Sequence, residues 1–421
     1  MKTAKFTIRM VSICLALGLI TSTLLGAAQS GQTKTKASGG PMTVKKGGAN
    51  SNDPSASRRA LRFSYGQRTG GRPLLANPQV MSVYNSGMVK AIDWITDNQS
   101  KAGHWPDSKP RVADTGLAVL CLLSYGVLPQ DKTKYGQATK SGLDWLSKQV
   151  NSKGDMRDSG RMYSQAIGAL ALSEAYNLTK SKKLEIPLKL AVNFLVQAQN
   201  PITGGWRYTP YQTKQDPGDL SVTGWVIMAL QSASYSNPLV SKQTQAKMKL
   251  FLDMVSAGKN KGLYGYNNGR PKPSTTAIGM YCQQLVGKTT QSRQHESADL
   301  LLQNPPTNLH NHHAVGCGQY HYWFYATSAL FIHGGKDWQD WEDKLMTPLL
   351  KFQNPDGSWD PVGPQAKPTG KVIATCWATM CLSIYNQVLP ITNLNKPGSE
   401  SGSGTSRQLN GSKKTIIGPQ E

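Results

Sequence analysis

Two aspartates that stand three residues apart are the most suggestive acidic pair in the chain. They lie in the segment Asp216-Pro217-Gly218-Asp219, directly before an almost wholly apolar stretch, and Asp114 precedes another such stretch. A carboxyl group that burial and a neighbouring carboxylate keep protonated can act as a general acid. Aspartate before a helix is also a favoured N-cap, because its carboxylate accepts hydrogen bonds from backbone N–H groups of the first turn. The sequence predicts N-caps here, with acid catalysis by Asp216, Asp219 or Asp114 as the alternative.

Four of the seven histidines lie within twelve residues, at His310, His312, His313 and His321, and Cys317 stands among them. Imidazole and thiolate are zinc ligands, usually in sets of three or four. The spacing of these residues matches no known zinc pattern, and His321 is predicted to begin a helix. We therefore expect a polar loop without a metal or other cofactor, and zinc binding is the alternative.

Seven aromatic residues fall on predicted helices that are apolar on nearly all sides. They are Tyr163, Trp225, Tyr281, Tyr322, Trp323, Tyr325 and Trp377. A ring of helices lined in this way would hold an apolar or cationic guest. Aromatic residues at helical spacing also fill protein cores, which is the competing interpretation. Three basic residues in loops beside these helices, Arg207, Lys214 and Arg270, could meet an anionic head group of such a guest, with solvated loop charges as the equal alternative.

The helices that carry these residues repeat at a regular spacing. Each unit has an amphipathic helix, a glycine-bearing turn, a loop and a more apolar helix, and Trp105, Met156 and Trp206 fall 51 and 50 residues apart. A helix that is apolar on nearly all sides must be surrounded by protein. An open solenoid needs polar capping units at its ends, whereas the last unit here is a complete copy without a cap. The sequence therefore predicts an all-α ring of about six pairs of inner and outer helices.

Three units share a glutamine, a glycine four or five residues later and a tryptophan two residues after the glycine. These residues are Gln99, Gly103 and Trp105; Gln199, Gly204 and Trp206; and Gln353, Gly357 and Trp359. The pattern resembles the repeat of the squalene and oxidosqualene cyclases and the protein prenyltransferases, a superfamily with exported bacterial members. The segment Ser221-Val222-Thr223-Gly224-Trp225 resembles the inner-helix sequence of that superfamily. The resemblance covers about 80–390 and implies an α/α toroid, in which the repeat motif is structural.

A glutamine amide can satisfy unpaired backbone groups at a helix end while the tryptophan packs beside it. The resemblance also implies two chemistries, and each lacks its motif here. Class II terpene cyclases use an Asp-x-Asp-Asp motif, which is absent from this chain. Protein prenyltransferases use a zinc site with an Asp-x-Cys pair, which is absent too. The sequence thus has no complete catalytic motif, and a divergent cyclase would depend on the aspartates described above.

The first residues have the pattern of a secretory signal peptide. Lys2, Lys5 and Arg9 precede an apolar run from Met10 to Leu25, and small residues follow it. We expect cleavage after residue 28 and export to the periplasm or the exterior, with a retained membrane anchor as the alternative. Export leaves five cysteines, an odd number that we expect to be mostly buried thiols.

Much of the formal net charge of +23 lies outside the repeat region. The basic, Gly/Ser-rich segment 29–80 and the tail 391–421 contain few large apolar residues, so we expect both to be disordered and 81–390 to be the folded domain. Basic tails suit an anionic envelope surface, but charge runs are usually solvated, so plain solubility and tethering is the competing interpretation. Nothing in their sequence indicates recognition of a specific nucleic acid.

Three functions agree with these observations. The first is an exported toroid that binds an apolar or isoprenoid ligand. The second is an enzyme, either a divergent terpenoid cyclase or, less in keeping with the motifs, a hydrolase or lyase that acts on envelope polysaccharide. The third is a non-catalytic scaffold of the envelope. Export favours binding or scaffolding, since squalene-type substrates lie in the membrane and no further apolar stretch follows residue 25 that would insert into one.

Overall fold

The structure is a computed structural model that describes residues 78–105, 111–212, 216–236, 240–268, 270–287, 289–306, 319–362, 370–386 and 388–392. These residues form twelve α-helices, one two-stranded hairpin and two 3-10 turns. The helices are α1 (Pro78–Asp97), α2 (Arg111–Ser124), α3 (Lys134–Gln149), α4 (Arg161–Thr179), α5 (Lys182–Gln197), α6 (Leu220–Ser234), α7 (Lys242–Met254), α8 (Pro273–Val286), α9 (Gln291–Leu302), α10 (Gln319–His333), α11 (Gly335–Lys351) and α12 (Gly370–Ser383). Strands β1 (Ser256–Ala257) and β2 (Leu263–Tyr264) pair antiparallel between α7 and α8.

The even-numbered helices form the inner layer, because nearly every side chain on them is buried. The odd-numbered helices bury one face and leave the other in water. Each inner helix packs against the inner helices before and after it, and α12 packs against α2. The contact between α12 and α2 closes the inner layer into a ring. The predicted all-α toroid of about six helix pairs is confirmed.

The glutamine, glycine and tryptophan of the repeat connect consecutive helix pairs. In the third unit, the Gln199 side-chain amide donates to the carbonyl of Gly204 at 2.9 Å and to that of Thr244, in the next outer helix α7, at 3.3 Å. The Trp206 indole N–H donates to the carbonyl of Leu195 in its own outer helix α5, at 2.8 Å. The glutamine therefore ties each turn to the following unit, while the tryptophan ties it to the preceding helix.

The same contacts join the last unit to the first helix. Gln353 donates to the carbonyl of Gly357 at 3.0 Å and to that of Gly87 in α1 at 2.9 Å, across 266 residues of sequence. Gly357 has φ +97°, and a Cβ placed there would lie 2.3 Å from the Lys90 carbonyl oxygen. A residue with a side chain has no room at this contact. The seam of the ring thus depends on both the glutamine and the glycine of the sixth unit.

The second unit makes the connection from its inner helix. The Gln165 amide of α4 donates to the carbonyl of Gly154 at 2.8 Å and to that of Ala191, in the next outer helix, at 3.3 Å. The side-chain carbonyl oxygen of Gln165 also accepts the Met156 N–H at 2.8 Å. In the third unit, the Thr223 hydroxyl accepts the equivalent bond, from the Trp206 N–H at 2.9 Å. One glutamine therefore replaces both the glutamine and the threonine of the other units.

The fourth unit carries the hairpin in place of the glutamine. Its turn is held by the next outer helix, where the Glu296 carboxylate accepts the N–H groups of Asn260 at 2.9 Å and Gly262 at 2.8 Å. The neighbouring Ser297 hydroxyl donates to the Gly262 carbonyl. The contact between units is kept although the residues that make it have changed.

The described helical region extends from Pro78 to Thr392, slightly beyond the predicted domain of 81–390. Ile391 is 1% exposed, and its N–H donates to the buried Glu174 carboxylate at 3.3 Å, so the final 3-10 turn belongs to the fold. The predicted signal peptide 1–28 and nearly all of the predicted linker 29–80 and tail 391–421 lie outside the described residues. Within the described part of the chain, no helix has both the length and the apolar character needed to span a membrane.

Candidate functional site

Polar side chains gather at one edge of the ring, where the inner helices α4 and α6 begin. The backbone of each helix start is bound by the loop of the next unit: the Tyr208 carbonyl accepts the Met162 N–H at 3.1 Å, and the Tyr266 carbonyl accepts the Leu220 N–H at 2.9 Å. The cluster of side chains at this edge, called the mouth cluster below, consists of Tyr163, Arg207, Tyr208, Asp216, Asp219, Ser221 and Tyr266.

Asp219 is the N-cap of α6 and is 0% exposed. Its Oδ1 accepts the Ser221 hydroxyl at 2.5 Å and the Val222 N–H at 2.9 Å, and its Oδ2 lies 3.5 Å from Arg207 Nη1. Burial raises the pKa of Asp219 above its usual value, although both hydrogen bonds and the Arg207 charge act to lower it. Since both oxygens already have partners, the carboxyl group is placed to hold the helix start rather than to protonate a ligand.

Arg207 is the only described cation in the mouth cluster. Its guanidinium lies 4.9 Å from the Tyr208 ring and 5.6 Å from the Tyr266 ring, and the two tyrosine hydroxyls are 2.6 Å apart. Its Nε lies 3.6 Å from the half-exposed Asp216 carboxylate, while Nη1 faces Asp219. Because two carboxylates neutralise its charge, Arg207 is not available as a strong anion site. Of the other basic residues considered above, Arg270 is exposed and Lys214 lies outside the described residues.

Asp114 was predicted to be an N-cap, but it lies inside a helix. Helix α2 begins at Arg111, so Asp114 lies within its first turn, where it is 0% exposed. The N–H of Val112 at the helix start is bound by the Asp158 carboxylate at 2.9 Å instead. Asp114 stands on α2 and Asp219 at the start of α6, with α4 between these helices in the ring.

Side chains from four inner helices meet at the centre of the ring. This central cluster consists of Trp225 on α6, Tyr281 on α8, His321, Phe324 and Tyr325 on α10, and Trp377 on α12. The rings of Trp225 and Trp377 are 5.2 Å apart although α6 and α12 stand opposite each other. All six side chains are 0–3% exposed. They therefore pack against one another across the ring axis and do not line an open channel.

Several polar atoms in the central cluster are buried without a hydrogen-bond partner among the described residues. They are the Trp377 indole nitrogen, the Tyr281 hydroxyl and both ring nitrogens of His321. Each unmade hydrogen bond of a buried group costs about 1–3 kcal/mol. Burial also lowers the pKa of His321 to about 4, so its imidazole is neutral at neutral pH. A partner from outside the cluster, such as a bound molecule or an ordered water, would remove that cost.

Three of the aromatic residues predicted to line the ring lie elsewhere. Tyr163 is half-buried in the mouth cluster, where its hydroxyl is 2.6 Å from the Ser221 hydroxyl. Tyr322 faces the outer layer, since its hydroxyl donates to the Asn304 carbonyl at 2.8 Å and its ring lies 6.1 Å from Trp341. Trp323 is 0% exposed and packs against Tyr320. Consecutive helical residues point about 100° apart, so a run of four aromatics cannot all face one axis.

His321 and Phe324 join the central cluster, although the sequence did not single them out as aromatic lining. The signal was present in their spacing, because His321, Phe324 and Tyr325 follow the i, i+3, i+4 pattern of one helix face. The remaining candidate zinc ligands, His310, His312, His313 and Cys317, lie outside the described residues. The four described cysteines are buried.

No protein-family model matches the sequence, and no curated protein matches it. Solved structures with a similar fold include an inactive variant of the alpha-1,6-mannanase GH76A of Salegentibacter sp. HEL1_6 in complex with alpha-1,6-mannotriose. It has 10% sequence identity and a TM-score of 0.54, and the match covers 72% of this chain and 99% of that chain. A variant of the type II terpene cyclase MstE from Scytonema in complex with its product merosterolic acid A has 13% identity and a TM-score of 0.51, with 75% and 99% covered.

These neighbours share the fold of this chain at low sequence identity. The chain is an α/α toroid, and its resemblance to the squalene cyclase-like proteins holds at the level of the fold. Because one scaffold hosts several chemistries, as a mannanase and a terpene cyclase illustrate, the function has to be argued from the residues of this chain.

Proposed function

We propose that the chain is a ligand-binding toroid, not an enzyme, and that it takes an isoprenoid-type ligand with a polar group into the ring at the central cluster. The observation that carries this proposal is the group of buried polar atoms without partners in an otherwise apolar cluster, at Tyr281, His321 and Trp377. A bound molecule with a hydroxyl group would supply some of the missing hydrogen bonds.

The chemistry of the central cluster suits such a ligand. The rings of Trp225 and Phe324 offer apolar faces to an isoprenoid chain. The Trp377 indole N–H is a donor, while neutral His321 and the Tyr281 hydroxyl each supply a donor and an acceptor. Entry requires these rings to rotate away from one another. The hydrogen bonds that the ligand would restore offset part of the cost of that rearrangement.

Three further features belong to the proposal. Export rests on the N-terminal signal pattern, and attachment to an anionic envelope surface rests on the basic segments 29–80 and 391–421. The proposal that the chain is not an enzyme is based on Asp219, because its carboxylate oxygens already contact Ser221, Val222 and Arg207.

The test compares farnesol with the hydrocarbon farnesene, which has a similar chain but no hydroxyl group. We expect farnesol to quench tryptophan fluorescence and to raise the melting temperature more than farnesene does. The Trp377→Phe variant should retain binding of both compounds but lose part of the preference for farnesol, because it lacks the indole N–H while His321 and Tyr281 remain. Equal shifts for the two compounds in the unaltered protein, or no shift for either, would refute the proposed site.

Trp341→Phe is the matched control. Trp341 is 0% exposed, lies on an outer helix and already donates its indole N–H to the Thr327 hydroxyl at 2.9 Å. Its substitution should lower stability without changing the preference for farnesol. A loss of preference in this control as large as in Trp377→Phe would mean that the effect arises from general loosening of the fold and not from the central cluster.

An enzyme with its active site at the mouth is the second candidate. The observation in its favour is that burial raises the pKa of Asp219 while the half-exposed Asp216 stands beside the same guanidinium. Glycosidases use two carboxyl groups whose environments give them different pKa values, and the general acid of a cyclase needs a raised pKa. Turnover of alpha-1,6-mannan oligosaccharides or of squalene that is abolished by Asp219→Asn and Asp216→Asn would establish this function. We expect no turnover from either variant or from the unaltered chain.

A further inference from the structure

A second group of side chains with ligand chemistry lies away from both the mouth and central clusters. His295 is on α9, His333 is the last residue of α10, and Asp337 is in the first turn of α11. This group stands at the C-terminal end of an inner helix, whereas the mouth lies where inner helices begin. One nitrogen from each histidine and one carboxylate oxygen lie within 4.8 Å of one another.

The separations between these donor atoms fit a common metal ion. His333 Nε2 lies 2.8 Å from Asp337 Oδ2, and His295 Nδ1 lies 3.5 Å from the same oxygen. Zinc binds imidazole nitrogen and carboxylate oxygen at about 2.0–2.2 Å, so tetrahedral ligand atoms stand roughly 3.3 Å apart. The two histidine nitrogens are within 4.8 Å of each other, so side-chain rotations that move them by about an ångström would bring all three atoms to one ion. Two histidines and one carboxylate also leave a coordination position open for water.

The backbone holds two of these ligands in place. Gly334 and Gly335 have φ +72° and +67°, and this left-handed pair turns the chain from α10 directly into α11. His333 and Asp337 consequently meet four residues apart. The site is open to solvent, since the side chain of His295 is 50% exposed and that of Asp337 is 25% exposed.

We propose that His295, His333 and Asp337 bind a divalent transition metal ion, of which zinc is the best match. Imidazole and carboxylate are its preferred nitrogen and oxygen ligands. The ion would tie together an outer helix, an inner helix and the outer helix of the following unit. This site does not depend on the ligand proposed for the central cluster.

The experiment uses the full chain without a histidine tag. Calorimetric titration with zinc chloride should show about one saturable site per chain. Cobalt in place of zinc should give the absorption bands of a low-symmetry nitrogen and oxygen site. His333→Ala, His295→Ala and Asp337→Asn should each weaken zinc binding at least about a hundredfold, since even outer-shell changes cost 10–100-fold. Zinc should raise the melting temperature of the unaltered chain and not that of His333→Ala.

Two controls separate this site from other zinc ligands in the chain. Asp340→Asn removes a carboxylate one turn along α11 that pairs with Lys336 at 2.7 Å, and it should leave zinc binding unchanged. Joint substitution of His310, His312 and His313 by alanine tests the histidine-rich segment and should also leave one zinc site. If zinc binding is absent, survives all three ligand changes, or is lost in the triple variant, the proposed site is wrong, and His333 and Asp337 form only a hydrogen bond.

Discussion

Replacing Gly357 with alanine should weaken the ring at the seam between its last unit and its first helix. The added Cβ would lie 2.3 Å from the Lys90 carbonyl oxygen and 2.5 Å from its carbon, both backbone atoms that cannot rotate away. The φ of +97° adds strain of about 1–2 kcal/mol for a residue with a side chain. Pushing a close-packed contact apart by roughly an ångström costs about 1–3 kcal/mol more. We therefore expect Gly357→Ala to lower the free energy of unfolding by about 2–5 kcal/mol.

The matched variant is Gly334→Ala, which isolates the backbone strain. Gly334 has φ +72°, but no atom lies within 4 Å of the position that its Cβ would occupy. With ψ −160°, Gly334 lies in a backbone region that is almost restricted to glycine, so this change should cost about 1–3 kcal/mol from backbone strain alone. Urea unfolding followed by tryptophan fluorescence, with circular dichroism as a second probe of the same transition, measures both variants. If the two substitutions cost the same, α1 and the last turn are not in close contact, and the reasoning about the seam fails.

Three further predictions concern the connections between units and the central histidine. Gln353→Ala and Gln199→Ala each remove two hydrogen bonds to backbone carbonyls, so each should lower the free energy of unfolding in urea by about 1–3 kcal/mol. A negligible effect of Gln353→Ala would mean that the ring is not closed through this glutamine. Gln165→Ala removes three hydrogen bonds and strands a buried N–H, so it should cost more than Gln199→Ala, and the opposite order would contradict the double role of Gln165. His321 has a pKa of about 4 in the folded chain and an ordinary pKa of 6.5. As the pH drops from 6.5 towards 4, this histidine is protonated in the unfolded chain but not in the folded one, so the free energy of unfolding falls. His321→Phe should show a shallower fall in melting temperature over that range, and an unchanged slope would mean that His321 is not buried as a neutral ring.

The mouth shows how far local sequence signals reach. Asp219 was predicted as an N-cap from its place before an apolar stretch, and its carboxylate does accept the Val222 N–H. The same rule placed Asp114 at a helix start, but α2 begins three residues earlier and Asp158 of the next unit binds its N-terminus. A cap is local when the residue adjoins the helix, and it is tertiary when a loop from another unit supplies it. Only the first kind can be read from neighbouring residues.

The central cluster could be predicted in composition but not in arrangement. Trp225, Tyr281, Tyr325 and Trp377 were recognised from the apolar character of their helices. Whether these rings face an open chamber or one another depends on the diameter of the ring and the rotation of each helix. The diameter and the rotations follow from packing among all six inner helices, so they cannot be predicted from any single segment of the sequence.

The sequence by itself determined the helix pairs, their number and the closed ring, because periodic apolar residues and repeated turn residues act over a few positions and leave a local signature. The tertiary structure decided which side chains meet. It brought Gln353 to Gly87, Trp225 to Trp377 and His295 to Asp337, each across helices that are not adjacent in the sequence. Such contacts depend on the angles at which helices pack, and for that reason the candidate sites emerged only from the folded ring.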